Sequence, residues 1–153
     1  MAVVVALNTS REKGTAKHEV GSVALKPDYG VVGDAHAGPG KRQVSLLALE
    51  SYNRFEEKNL KKICKKIPGG KLCYGSFGEN IVTEGIVLHE LAVGTRLMIG
   101  GAVCEVTQIG KECHAGCSIA KTIGSCIMPK EGIFVKVLEG AVVRKGDGIR
   151  VMV

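Results

Sequence analysis

The sequence predicts a mainly β fold of the β-rich α+β kind: a closed β-barrel of short strands with one or two helices. Three observations carry this. Short apolar runs rich in valine and isoleucine recur along the chain and are separated by glycine turns. A single long stretch has helical spacing. So many short strands would expose unpaired backbone edges unless the sheet closed on itself.

Taken in order, Ala2–Leu7 is a strand by its valine content, and the polar Asn8–Lys17, with Arg11, Lys13 and Lys17, reads as a loop. Val20–Leu25 alternates, with Val23 and Leu25 on one face. Lys26-Pro27-Asp28-Tyr29-Gly30 is a turn. Gly33-Asp34-Ala35-His36-Ala37-Gly38-Pro39-Gly40 is a glycine-rich loop before a short apolar strand at Gln43–Leu47. From Ala48 the spacing becomes helical through Leu49, Tyr52, Phe55, Leu60, Ile63, Cys64 and Ile67, and Pro68-Gly69-Gly70 stops it. After Tyr74 the chain returns to β. Ser76-Phe77-Gly78-Glu79-Asn80 leads into Ile81-Val82, and Leu97–Ile99 with Val103–Ile109 form a hairpin across Gly100-Gly101. Gly132–Leu138 and Ile149–Val153 are further strands, with turns at Gly140 and Lys145-Gly146-Asp147. No repeat, low-complexity tract or linker interrupts the series, so residues 1–153 are expected to form a single domain.

Composition narrows the function classes. The apolar N-terminus is short and lacks a basic leader, so it reads as a strand and not as a signal peptide. No run approaches the length of a membrane span. A cytoplasmic location follows as the expectation, with the six cysteines reduced and better suited to metal binding or catalysis than to a disulfide framework. The net charge of +6 is concentrated between Lys41 and Lys66, where eight Lys/Arg face three Glu. No aromatic residues alternate with those charges as base-stacking platforms would, which argues against nucleic acid and for a solvated helix face.

Three clusters carry possible chemistry. Residues 111–153 hold three of the cysteines: Cys113, Cys117 and Cys126, with His114 beside the first and glycines at positions 110, 116 and 124. Thiolates are soft ligands and strong nucleophiles, and Lys111, Lys121 and Lys130 would favour the ionised form. A Cys3His zinc site and three inert buried thiols are the competing readings. Cys104, among apolar strand residues, reads as core. The second cluster is Gly33-Asp34-Ala35-His36 with Lys41-Arg42-Gln43, whose glycine-rich backbone and basic side chains suit an oxyanion or phosphate. The third, Phe77-Gly78-Glu79-Asn80, fits turn stabilisation as well as it fits a ligand.

Together these segments resemble the MOSC family, named after the C-terminal domain of molybdenum-cofactor sulfurase. The matching stretches are Val32-Gly33-Asp34-Ala35-His36 with Arg42-Gln43-Val44-Ser45-Leu46, then Gly78-Glu79-Asn80-Ile81 and Val93-Gly94-x-x-Leu97-x-Ile99-Gly100. The cysteine segment and Gly132-Ile133-Phe134 through Gly146-Asp147-x-Ile149 complete the series in family order. The stretch from Cys126 to Phe134 looks most like stand-alone bacterial members. The resemblance implies a β-rich barrel and a role with the molybdenum cofactor (molybdopterin) or with sulfur. By position, Cys126 matches the molybdenum ligand of related reductases, and Cys113 matches the other frequent family cysteine. Cys117 is a further metal or resolving thiol. Asp34, His36, Arg42, Gln43, Glu79, Asn80 and Lys111 are the implied cofactor-binding set. The chain lacks the reductases' additional domains and the pyridoxal-phosphate domain of the full sulfurases, so pyridoxal phosphate is not expected.

Two functions follow as leading expectations, with a nucleic-acid or anion binder using the Lys41–Lys66 segment behind them. One is a binding module that holds molybdenum cofactor, or carries sulfur on a reactive cysteine, and passes it to cofactor-biosynthesis or sulfur-transfer proteins. The other is a small molybdenum-dependent reductase of N-hydroxylated compounds served by a separate electron donor. The sequence does not decide between carrier and enzyme, nor does it fix the substrate or the oligomeric state.

Overall fold

The computed structural model describes residues 2–12, 17–59, 61, 74–75, 77–110 and 127–152. The elements are β1 (Ala2–Thr9), β2 (His18–Val20), β3 (Ser22–Lys26), β4 (Gly30–Val31), β5 (Val44–Ala48), α1 (Leu49–Lys58), β6 (Ile81–Glu84), β7 (Arg96–Ile99), β8 (Ala102–Ile109), α2 (Met128–Glu131), β9 (Ile133–Glu139), β10 (Ala141–Arg144) and β11 (Gly148–Val151).

Seven strands close a barrel in the order β11-β7-β8-β9-β5-β6-β1, and β1 bonds back to β11 through Ala2↔Ile149 and Val3↔Gly148. The strand β2 adds outside the ring along β1. Among the described strands the pairings are antiparallel except one: β5 runs parallel to β6, so the chain between them must cross over. The helix α1 begins that crossover. A small second sheet, β10-β3-β4, packs beside the barrel. The expected closed barrel and the helix within 48–67 are both present.

The alternation of buried side chains explains the two cores. Val44, Leu46 and Ala48 of β5 point inward with Val4, Leu7, Ile81, Leu97, Ile99, Val106, Ile133 and Val135, filling the barrel. Leu47, on the opposite face of the same strand, joins Ala6, Val82 and Phe134 under α1. A strand buried on both faces reads as a continuous apolar run, which is why Gln43–Leu47 shows no alternation. Tyr52 and Phe55 of α1 close this outer core over Phe77. The Tyr52–Phe77 and Phe55–Phe77 ring centroids lie 4.9 and 4.8 Å apart in edge-on geometry. Each such pair adds about 0.5–1.5 kcal/mol beyond its buried area. The α2 turn is tied to α1 by Glu131, which accepts from Ser51 Oγ at 2.6 Å and pairs with Arg54.

Two local differences from the expected elements have clear causes. The first strand continues through Asn8 and Thr9 because their backbone pairs with Glu19 and His18 of β2. The expected Val20–Leu25 strand divides at Gly21, β2 going to the barrel and β3 to the small sheet. Among the described residues no helix is long and apolar enough to cross a membrane.

Candidate functional site

The loop between β4 and β5 builds one wall of a cleft of about 620 Å³, lined by His36, Ala37, Gly38, Lys41, Arg42 and Gln108. Its opposite wall is the end of β8. The loop is fixed to the barrel by side chains on both sides. Thr107 Oγ1 donates to the Lys41 carbonyl, and the Arg42 guanidinium lies over the Phe134 ring, 5.3 Å from its centroid. Arg42 Nε donates to Gln108 Oε1 at 3.3 Å, and Gln108 Nε2 donates to the Gly110 carbonyl at 2.9 Å. This chain of contacts runs from the cleft to the residue immediately before the cysteine segment. A lysine, an arginine and an imidazole in a half-open cleft of this size suit an anionic small molecule.

Behind His36 lies a buried polar cluster. The Lys17 and Asp34 side chains are both 0% exposed, and their Nζ–Oδ1 distance is 2.8 Å. Lys17 Nζ also donates to Ser10 Oγ at 3.2 Å and lies 3.1 Å from His36 Nδ1. Asp34 Oδ1 accepts from the Ser10 N–H at 3.0 Å, and Oδ2 accepts from the His36 N–H at 3.1 Å. Burial opposes the Asp34 charge, but the Lys17 ammonium and the two backbone donors outweigh it and hold the carboxyl below its ordinary value. The Lys17 backbone is anchored as well, its N–H donating to the Gly75 carbonyl at 2.9 Å. Gly75 is required there: its φ is +90°, and a Cβ would meet the Lys17 carbonyl oxygen at 2.2 Å.

Gln43 is fully buried and its amide is spoken for. Nε2 donates to Asp28 Oδ1 and the Gly40 carbonyl, each at 3.2 Å, and Oε1 accepts from the Val137 N–H at 3.0 Å. It holds the 28–40 loop against β9. Glycine at position 30, with φ +111°, lets the chain pass the Gln43 carbonyl, which a Cβ would approach to 2.5 Å.

Glu79 and Asn80 form a neighbouring corner. Glu79 accepts from Tyr52 Oη at 2.6 Å, from the Gly75 N–H at 2.8 Å and from the Phe77 N–H at 3.2 Å. Burial pushes its carboxyl up to about 7 against those hydrogen bonds. Burial first, and then the Glu79 charge, push the Tyr52 hydroxyl upward too. Asn80 Oδ1 accepts from the Ser45 N–H at 3.0 Å and its Nδ2 donates to the Asn8 carbonyl at 3.1 Å, so it staples β1, β5 and the start of β6.

The structure therefore brings Asp34, His36, Arg42 and Gln43 into one loop-and-strand junction, with Glu79 and Asn80 joined to it through Gly75 and Lys17. Only His36 and Arg42 of that set line the cleft. Cys113, Cys117, Cys126 and Lys111 lie outside the described residues, as do His114 and Lys121; the described ends of their segment are Gly110 and Ile127. Gly110 is held by its N–H to the Gly132 carbonyl at 2.6 Å. Cys104 is buried in the barrel, where burial raises its thiol to about 12, in keeping with the core reading. Sequence reasoning missed Lys17, Ser10 and Gln108 as parts of this site. A lysine in a polar stretch carries no signal of burial, since its partner Asp34 lies on a different loop.

A protein-family model of the MOSC domain matches residues 32–150. No curated protein matches the chain. Several solved structures share the fold. The YUAD protein from Bacillus subtilis superposes with a TM-score of 0.71 at 18% identity, covering 99% of this chain and 96% of its own. YiiM from Geobacillus stearothermophilus gives 0.73 at 19% identity over 100% of this chain and 76% of its own. YiiM from Escherichia coli gives 0.66 at 18% identity, with 100% and 70% covered.

Proposed function

The chain belongs to the MOSC domain family, and from that premise we propose that it is a cytoplasmic domain that binds molybdenum cofactor, or carries sulfur on a reactive cysteine, and hands its cargo to cofactor-biosynthesis or sulfur-transfer proteins. The observation that carries this reading is the contact chain from the basic cleft through Arg42 and Gln108 to Gly110, the doorstep of the cysteine segment. The donor set fits a phosphate-bearing pterin. Lys41, Arg42 and His36 would hold the phosphate, and Gly38 leaves its backbone open to close approach. When bound, the cofactor supplies a sulfur-preferring metal centre, for which Cys126, with Cys113 and Cys117 beside it in sequence, offers soft donors. Asp34 and Gln43 act one layer back, fixing the loop that carries His36 and Arg42. Glu79 and Asn80 shape the corner on which Lys17 rests.

Metal and pterin analysis of protein made in a cofactor-competent host tests the reading. Cys126→Ser keeps the size but replaces a soft donor with a hard one. It is expected to abolish molybdenum or persulfide loading with the fold intact, while Cys104→Ala loads normally. Full loading of Cys126→Ser would sink the assignment, and loss in Cys113→Ser alone would move it to Cys113. Arg42→Ala should weaken cofactor binding by about 1.5–3 kcal/mol through loss of a charged hydrogen bond. Turnover of a hydroxylamine by the loaded protein would replace the carrier reading with the reductase one.

A further inference from the structure

Lys17 has three ammonium hydrogens and, among the described residues, three acceptors in reach: Asp34 Oδ1 at 2.8 Å, His36 Nδ1 at 3.1 Å and Ser10 Oγ at 3.2 Å. An ammonium group donates and never accepts. Its contact with His36 therefore requires a lone pair on Nδ1, which leaves the ring proton on Nε2. A competing arrangement among the described residues is a ring whose Nδ1–H points at Asp34 Oδ2. That pair is 3.9 Å apart, beyond hydrogen-bond reach. Oδ2 already accepts from the His36 backbone N–H. A proton on Nδ1 would also face the Lys17 hydrogens at 3.1 Å.

We propose that Lys17 is a positioning residue that fixes His36 in its neutral Nε2–H tautomer, making the ring a hydrogen-bond donor to an oxyanion in the cleft it shares with Lys41 and Arg42. The arrangement divides the labour among three nitrogen groups. Lys41 and Arg42 bring charge at the exposed rim, whereas the buried Lys17 spends its own charge on Asp34 and contributes only orientation. A neutral donor adds direction to the cleft without adding repulsion between cations. The His36 ring is 37% exposed while the groups that orient it have no exposure, so it stands at the boundary of a rigid buried cluster and the cleft. This proposal rests on the anion-binding reading of the cleft.

The test is nitrogen-15 NMR of the histidine and arginine side chains in the full chain, above the ordinary histidine range of about 6.5, with inorganic phosphate as the probe. In the wild type, His36 should show an unprotonated Nδ1 and a protonated Nε2, and phosphate should shift both the His36 Nε2 and the Arg42 guanidinium signals. The Lys17→Met, Asp34→Asn double variant removes both buried charges together. It should release the ring into a mixture of tautomers and weaken phosphate binding roughly two- to tenfold, as loss of one oriented hydrogen bond would. A wild-type His36 protonated on Nδ1, or an unchanged tautomer in the double variant, would overturn the assignment to Lys17; the wild-type spectrum decides even if the variant fails to fold. Phosphate that shifts Arg42 but not His36 would overturn the donor role and leave the anion site standing. Phosphate that shifts neither, with the expected tautomer present, would overturn the anion-site reading and the donor role with it.

Discussion

Asp34 and Glu79 are both buried carboxylates in polar corners joined by Lys17 and Gly75, yet the protein pushes them in opposite directions. Asp34 falls below its ordinary value because a cation, Lys17, was buried with it. Glu79 rises to about 7 because its donors, the Tyr52 hydroxyl and two backbone amides, carry no full charge. Burial penalises both carboxylates. What decides the sign is whether a compensating charge accompanies the group out of water. The Asp34 corner keeps its charge and serves the cleft, whereas the Glu79 corner is one proton away from neutrality and serves the wall.

The largest way to break this contrast is to remove the cation. Lys17→Met leaves Asp34 buried with only backbone donors and should cost about 3–5 kcal/mol of stability, read as a fall in the denaturant midpoint. Replacing both partners, in Lys17→Met with Asp34→Asn, removes both charges, keeps a side-chain acceptor for the Ser10 and His36 N–H groups, and should restore most of the loss. If the single and double variants are equally unstable, the pair is not what supports this corner.

The next effect is in the pH profile. Glu79 binds its proton more tightly when folded, so its contribution is fully present below about 4.5 and is lost as pH rises through about 7. The loss by pH 8 should be on the order of 3 kcal/mol. Asp34 has the reverse sign: its contribution is present above its ordinary value of 3.8 and disappears as pH falls through its lower folded value. In Glu79→Gln the decline between about pH 4.5 and 7 should vanish while the acid limb set by Asp34 remains. Urea unfolding from about pH 2 to about pH 8 measures both limbs, and a decline that persists in Glu79→Gln would assign it elsewhere.

The smallest effect sharpens the comparison. Tyr52→Phe removes one donor to Glu79 but keeps the ring that packs on Phe77. It should cost about 1–2 kcal/mol, and more at high pH, where the carboxylate is ionised, than at low pH. Stability curves at pH 5 and about pH 8 would show the difference; equal losses at both would mean that the hydroxyl does not solvate the Glu79 charge.

Most of the barrel was legible because its strands are apolar runs between glycine turns, and Tyr52 and Phe55 marked the helix by spacing alone. The parallel β5–β6 pair and the return of β11 to β1 were not, because partner choice between distant strands leaves no local pattern. Strand β10 escaped notice because only Val143 of its four residues is buried. In the site, Asp34, His36 and Arg42 stood out as charge within a glycine-rich loop. Gln43, Glu79 and Asn80 look alike in sequence whether they grip backbone or ligand; their hydrogen bonds here run to neighbouring backbone and side chains. Lys17 was invisible, since only the folded chain places it under His36.

The seam where Ala2 pairs with Ile149 has a consequence for how the protein comes to be made. The first strand leaves the ribosome long before its last neighbour exists, and no local contact can substitute for residues 148–149. Until they arrive, β1 offers an open edge able to capture a strand from another nascent chain. Ring closure between such distant segments places this protein among slow, high-contact-order folders, in the range of roughly milliseconds to seconds. Its hazard is therefore greatest while nearly the whole sheet is present and still unclosed.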